Sequence, residues 1–91
     1  MLEINYQIIV KGRVQGVGFR QSAKSEARFL GIKGYVKNLS NGDVFIEAQG
    51  FKDQLDLFLN WCRKGSRYGF VESVQYEPGT IKDYSGFSIL Y

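Results

Sequence analysis

The sequence predicts an α+β sandwich in which two helices cover one face of an antiparallel sheet, with a short extra strand at the C-terminal end. Three observations carry that prediction. Apolar residues alternate with period two near 4–13 and 69–76, and two further strands, about 33–39 and 44–48, flank an Asn-Gly turn. Apolar residues recur with helical spacing in two other stretches, one opening at Phe19 and one near residue 51, so the order reads strand, helix, strand, strand, helix, strand. The chain has 91 residues, among them seven Phe, six Tyr and one Trp, which suits one domain over residues 1–91 with enough apolar surface to fold without staples.

In the first strand Ile4, Tyr6, Ile8 and Val10 share one face, and Asn5, Gln7, Ile9, Lys11 and Arg13 the other. The first helix places Phe19, Ala23, Ala27 and Leu30 on its apolar side and Lys24, Ser25, Glu26 and Arg28 away from it, and Gly31 ends it. A second strand over about 33–39 meets Ser40-Asn41-Gly42-Asp43, which reads as a tight hairpin turn because Asn-Gly accepts positive φ angles. Val44–Ala48 is the third strand.

The second helix, about 51–64, is marked by Leu55, Phe58, Leu59 and Cys62, flanked by Leu57 and Trp61. Asp53 and Asp56 lie near its positive end, Arg63 and Lys64 at its negative end, and Gly65 beyond. A fourth strand over about 69–76 carries Phe70, Val74 and Tyr76 in alternation. Pro78-Gly79 breaks it, and Phe87–Tyr91 forms a short last strand. This order is the split β-α-β, ferredoxin-like plan. A helical crossover makes the first two strands parallel, so their carboxyl ends share one edge, and the polar residue at the second of those ends is Asn38.

Composition narrows the chemistry. Cys62 is the only cysteine and there is no histidine, which removes intramolecular disulfides, four-thiolate zinc sites, and Ser-His and Cys-His nucleophile pairs. The net charge of +3 is scattered along the chain and suits a small anion better than a nucleic-acid track. Met1-Leu2-Glu3-Ile4-Asn5 lacks a secretory pattern, and no run approaches the roughly 20 apolar residues a bilayer demands. A soluble cytoplasmic monomer is expected, with neither membrane nor nucleic acid as partner.

The stretch with chemical character is Gly12-Arg13-Val14-Gln15-Gly16-Val17-Gly18-Phe19-Arg20, between the first strand and the first helix. Three glycines in seven residues let consecutive N–H groups converge on one spot, the following helix adds its positive end, and Arg20 adds a planar fork of donors. Such a cradle fits a phosphate.

These residues also carry a resemblance. Val10 through Arg20 resembles the first acylphosphatase signature. Gly34-Tyr35-Val36-Lys37-Asn38-Leu39-Ser40-Asn41-Gly42-Asp43-Val44, closing at Gly50, resembles the second. The Trp-Cys-Arg-Lys-Gly end of the second helix and the terminal Gly-Phe-Ser-Ile are similar too, so the likeness spans essentially the whole chain. It implies hydrolysis of the carboxyl-phosphate bond of acyl phosphates, to a carboxylate and inorganic phosphate, without metal or other cofactor. By the same resemblance the backbone donors of Gln15, Gly16, Val17, Gly18 and Phe19, with Arg20, hold the phosphoryl group, and Asn38 orients the attacking water. Two positions depart from the family pattern: Ser22 where an aromatic residue is usual, and Ser66 where proline is frequent. Both are expected to concern packing at helix ends.

These residue types suffice for that reaction. The leaving group is a weakly basic carboxylate and needs no general acid. In a loose phosphoryl-transfer transition state the protein's task is to aim water and stabilise the equatorial oxygens. Two other readings compete. One is a phosphate-binding domain of this kind without turnover. The other is RNA binding, because Arg67-Tyr68-Gly69-Phe70-Val71 resembles part of the aromatic signature of the RNA-recognition module. That signature belongs before the second helix, however, and here it follows it. Cys62 reads as a small buried hydrophobe, and Lys11, Arg13 and Lys37 receive no role.

Overall fold

A computed structural model describes residues 2–91. The elements are β1 (Ile4–Arg13), α1 (Phe19–Phe29), β2 (Lys33–Asn38), β3 (Val44–Gly50), α2 (Lys52–Lys64), β4 (Phe70–Pro78) and β5 (Phe87–Leu90). They build one five-stranded sheet in the order β4-β1-β3-β2-β5. The first four strands pair antiparallel, as expected, and the short β5 adds to β2 in parallel, so the complete sheet is mixed.

The core lies between the helices and the near face of the sheet. Ile8 and Val10 of β1, Val36 of β2, and Val44, Ile46 and Ala48 of β3 meet Phe19, Ala23 and Ala27 of α1 and Leu55, Phe58, Leu59 and Cys62 of α2. Each fully buried Leu, Ile, Val or Phe side chain in such a core contributes about 1.5–3 kcal/mol relative to an exposed one. Trp61 ties the helices together, with its ring centroid 5.2 Å from that of Phe19 and 6.0 Å from that of Phe58. The helix faces match the spacing read from the sequence, except that Leu30 is only partly buried at the α1 C-terminus.

Three local readings change. Between Lys11 and Gly12 the β1–β4 register shifts: Lys11 faces Ser73 and Gly12 faces Val71, leaving Glu72 as the extra residue of a bulge. The bulge inverts the alternation, so Val71 packs on the core while Phe70 is 64% exposed. The β2–β3 turn is longer than a two-residue hairpin. Gly42 alone has positive φ, and Asn41 instead accepts a hydrogen bond from the Asp43 amide at 3.0 Å. Finally, residues 79–86 are more than a polar connection, because β4 and β5 lie on opposite edges and the chain between them must cross the outer face of the sheet.

That crossing explains a polar cluster on the face opposite the helices. Asn5, which the alternation places on the face away from the core, is buried there together with Glu47 and Gln49. The Lys82 ammonium meets the Glu47 carboxylate at 2.8 Å, and the Tyr84 hydroxyl donates to the same oxygen. The Gln49 carboxamide holds the Lys82 backbone through both its atoms, donating to the carbonyl at 2.7 Å and accepting from the amide at 3.0 Å. The Gly79 amide donates to the Asn5 carbonyl at 2.9 Å. Burial raises the Glu47 carboxyl pKa, but the hydrogen bonds and charge of Lys82, the Tyr84 hydroxyl and Asn5 together outweigh it and hold the group below its ordinary value. The Tyr84 hydroxyl is pushed up, first by desolvation and then by its bond to Glu47.

A carboxyl held below its unfolded pKa stabilises the fold above that value, and the contribution is lost as pH falls through the folded one. Stability should therefore decline on acidification below about pH 4.5, the ordinary glutamate value. Glu47→Gln, followed by urea denaturation against pH, should be less stable at neutral pH and show a shallower acid slope.

Candidate functional site

The carboxyl ends of β1, β2 and β5 meet at one edge of the sheet, and a pocket lies there. It holds about 140 Å³ and is lined by Val14, Gly16, Gly18, Phe19, Arg20, Gln21, Asn38, Ile89 and Tyr91. Of the residues singled out from the sequence, Gly16, Gly18, Phe19, Arg20 and Asn38 come together on its wall. Gln15 and Val17 belong to the same loop, but they are not lining residues.

The loop conformation follows from its glycines. Gly16 and Gly18 have φ of 73° and 76°, left-handed values that cost a residue with a Cβ about 1–2 kcal/mol. Gly18 is also the N-cap of α1, which has no side-chain cap and no acidic residue in its first turn. The amides of Gln15, Gly16, Val17 and Gly18 donate to no acceptor in the protein among the described residues. The first amides of α1 have no intrahelical partner by construction, and the ladder begins with Ser22 donating to the Gly18 carbonyl at 3.1 Å. A run of donors is thus left without acceptors in the protein, and Gly16 and Gly18 of that run line the pocket.

Arg20 makes no ion pair among the described residues. Its guanidinium carbon lies 4.9 Å from the centroid of the exposed Tyr91 ring, and its charge stays uncommitted. Across the pocket the Asn38 Oδ1 is buried and accepts no hydrogen bond. A buried acceptor without a partner costs roughly 1–3 kcal/mol. The protein itself supplies no partner for this oxygen, although Asn38 is among the residues that line the pocket.

Two side chains pin the loop. The Gln15 Nε2 donates to the carbonyls of Leu39 and Asp43, both at 2.8 Å, and the Ser66 hydroxyl donates to the Val17 carbonyl at 3.1 Å. Sequence reasoning missed both contacts. The family resemblance implies a main-chain role for Gln15 and a packing role at a helix end for Ser66, whereas Ser66 buttresses the loop from the α2–β4 connection. Nothing in one linear sequence pairs Ser66 with Val17.

The other charged candidates are engaged elsewhere. Lys11 pairs with Asp43 at 2.8 Å, Arg13 donates to the Tyr68 carbonyl at 3.3 Å, and the Lys37 ammonium sits over the rings of Tyr35 and Phe45. Tyr68 lies in the turn before β4 with Arg67 over its ring, so Tyr68 and Phe70 do not share a strand face on which bases could stack. The Cys62 thiol is buried, and desolvation raises its pKa strongly, which makes it an inert hydrophobe.

Residues 6–89 match the Acylphosphatase family profile. The chain belongs to the acylphosphatase family. It is 48% identical to an acylphosphatase of Vibrio parahaemolyticus over 84 residues, covering 92% of this chain and 93% of that one. It is 44% identical to an acylphosphatase of Archaeoglobus fulgidus over 88 residues, covering 97% and 99%. Among solved structures, the acylphosphatase of Bacillus subtilis superposes with a TM-score of 0.94 at 37% identity, covering 97% of this chain and 99% of that one. The competing readings, an inert phosphate-binding domain and an RNA binder, gain no support from these likenesses. Among the described residues, no helix of this acylphosphatase is long and apolar enough to cross a membrane.

Ser66→Ala removes one loop tether. It should lower unfolding free energy by about 1 kcal/mol in urea, the worth of one such hydrogen bond.

Proposed function

We propose that this acylphosphatase hydrolyses small acyl phosphates by cradling the phosphoryl group between the amides of Gln15–Phe19 and the Arg20 guanidinium, while Asn38 aims the attacking water. The observation that carries the proposal is the meeting of Gly16, Gly18, Arg20 and Asn38 around one pocket, with the Asn38 Oδ1 left without a partner in the protein.

The chemistry follows from those groups. The non-bridging phosphoryl oxygens accept from the loop amides and the α1 terminus, and the fork of Arg20 binds two of them. A water donates one hydrogen to Asn38 Oδ1, which turns its lone pair toward phosphorus in line with the acyl oxygen. As the new P–O bond forms, the bond to the acyl oxygen breaks and its electron pair leaves as carboxylate. Asn38 is no base, so the water's proton passes to a phosphate oxygen. The cradle is more valuable in the transition state, where negative charge spreads over the equatorial oxygens. Ile89 and Tyr91 leave an apolar and aromatic rim where the acyl group would emerge.

We further propose a cytoplasmic monomer, free of metal and cofactor and without nucleic-acid partners. The uncommitted guanidinium, the absence of histidine and the single buried thiol support this reading.

Turnover of benzoyl phosphate should persist with excess chelator. Arg20→Ala and Asn38→Ala should each lower kcat by at least about 10²–10³, the usual cost of removing one positioned donor or orienting group. Near-normal turnover in either folded variant would overturn the assignment.

A further inference from the structure

We infer that Gln15 is a positioning residue for the attack step, its side chain setting the separation between the phosphate cradle and Asn38. The inference rests on the reading above, which gives Asn38 its role. The Gln15 carboxamide nitrogen has two hydrogens and exactly two acceptors, the Leu39 and Asp43 carbonyls, each at 2.8 Å. These carbonyls form the neck of the β2–β3 turn, which the Leu39 amide closes on Asp43 at 2.8 Å and the Gly42 amide on Leu39 at 3.2 Å.

Asn38 is the residue immediately before that neck and pairs with Val44 immediately after it. One side chain of the cradle loop is therefore bonded to both ends of the turn that joins the two strands of this hairpin. The other link to this turn, Lys11 with Asp43, starts from β1 rather than the loop and has a lysine 44% exposed, so solvent weakens it. It holds the turn on the sheet and leaves its spacing from the cradle to Gln15. Phosphate affinity needs only the loop and Arg20, whereas in-line attack also needs Asn38 in register. A misplacement of about 1 Å costs on the order of 10² in rate. The clamp should therefore act on kcat.

The test is Gln15→Met, which keeps the length and removes the donors. With benzoyl phosphate, kcat should fall about ten- to a hundredfold while the inhibition constant of inorganic phosphate changes less than about threefold. In an Asn38→Ala background the same substitution should cost less than about threefold, because its effect runs through Asn38. Gln15→Glu supplies a second readout. Its carboxylate cannot donate, so the rate relative to wild type should rise as pH falls and the carboxyl gains a proton. Wild-type kcat in Gln15→Met, phosphate inhibition weakening in step with kcat, or an equal cost with and without Asn38 would each overturn the inference. If Gln15→Met does not fold, the Gln15→Glu profile decides, and a flat ratio overturns it. Near-normal Asn38→Ala turnover strikes the underlying reading as well, whereas a crippled Asn38→Ala beside a normal Gln15→Met strikes only the clamp.

Discussion

A protein rarely leaves consecutive backbone amides without acceptors, because each buried donor so treated costs about as much as a lost hydrogen bond. Here the loop from Gln15 to Gly18 does so and runs into a helix that starts without a side-chain cap. The arrangement is tolerable because the donors border an open pocket where water or an anion can serve them. Much of the surrounding structure keeps that loop from relaxing into a self-satisfied turn. Gly16 and Gly18 supply the left-handed angles, and Phe19 anchors the helix start against Trp61. Gln15 and Ser66 hold the loop from two sides.

The sheet topology completes the pocket. β1 and β2 flank β3 and run in the same direction, which brings the loop and Asn38 to one edge. β5, parallel to β2, brings Ile89 and Tyr91 to that edge as a third wall. Getting β5 there requires residues 79–86 to cross the outer face, and crossing it buries Asn5, Glu47 and Gln49. A charged carboxylate with only 4% of its side chain exposed is acceptable on a sheet face because Lys82 and Tyr84 arrive on the same segment to satisfy it.

Most of the fold was legible because its signals are local. The α1 and α2 stripes, the alternation in β1 and the Gly-rich turn depend on residues a few positions apart. The meeting of the Gly-rich loop with Asn38 at one end of the sheet was legible through two ordered motifs and through the direction a crossover imposes on β1 and β2. What escaped was non-local. The β4 bulge at Glu72 is decided by pairing with β1, so the alternation of Phe70, Val74 and Tyr76 pointed the wrong way for Phe70. Asn5 alternates onto the polar side of β1, and only the crossing segment shows why it is buried. The tethers from Gln15 and Ser66 join residues far apart in sequence, and a glutamine or serine in a loop advertises no particular partner.

The pairing of Tyr6 with Pro78 bears on how the molecule comes into being. Almost the whole chain must close on itself before β4 can zip onto β1, and β5 cannot dock until the segment behind it has been drawn over the sheet. Such distant contacts are entropically expensive and slow to find. Tyr91, whose ring lies beside the Arg20 guanidinium, follows β5 directly, so the pocket owes its third wall to the pairing of that last strand with β2.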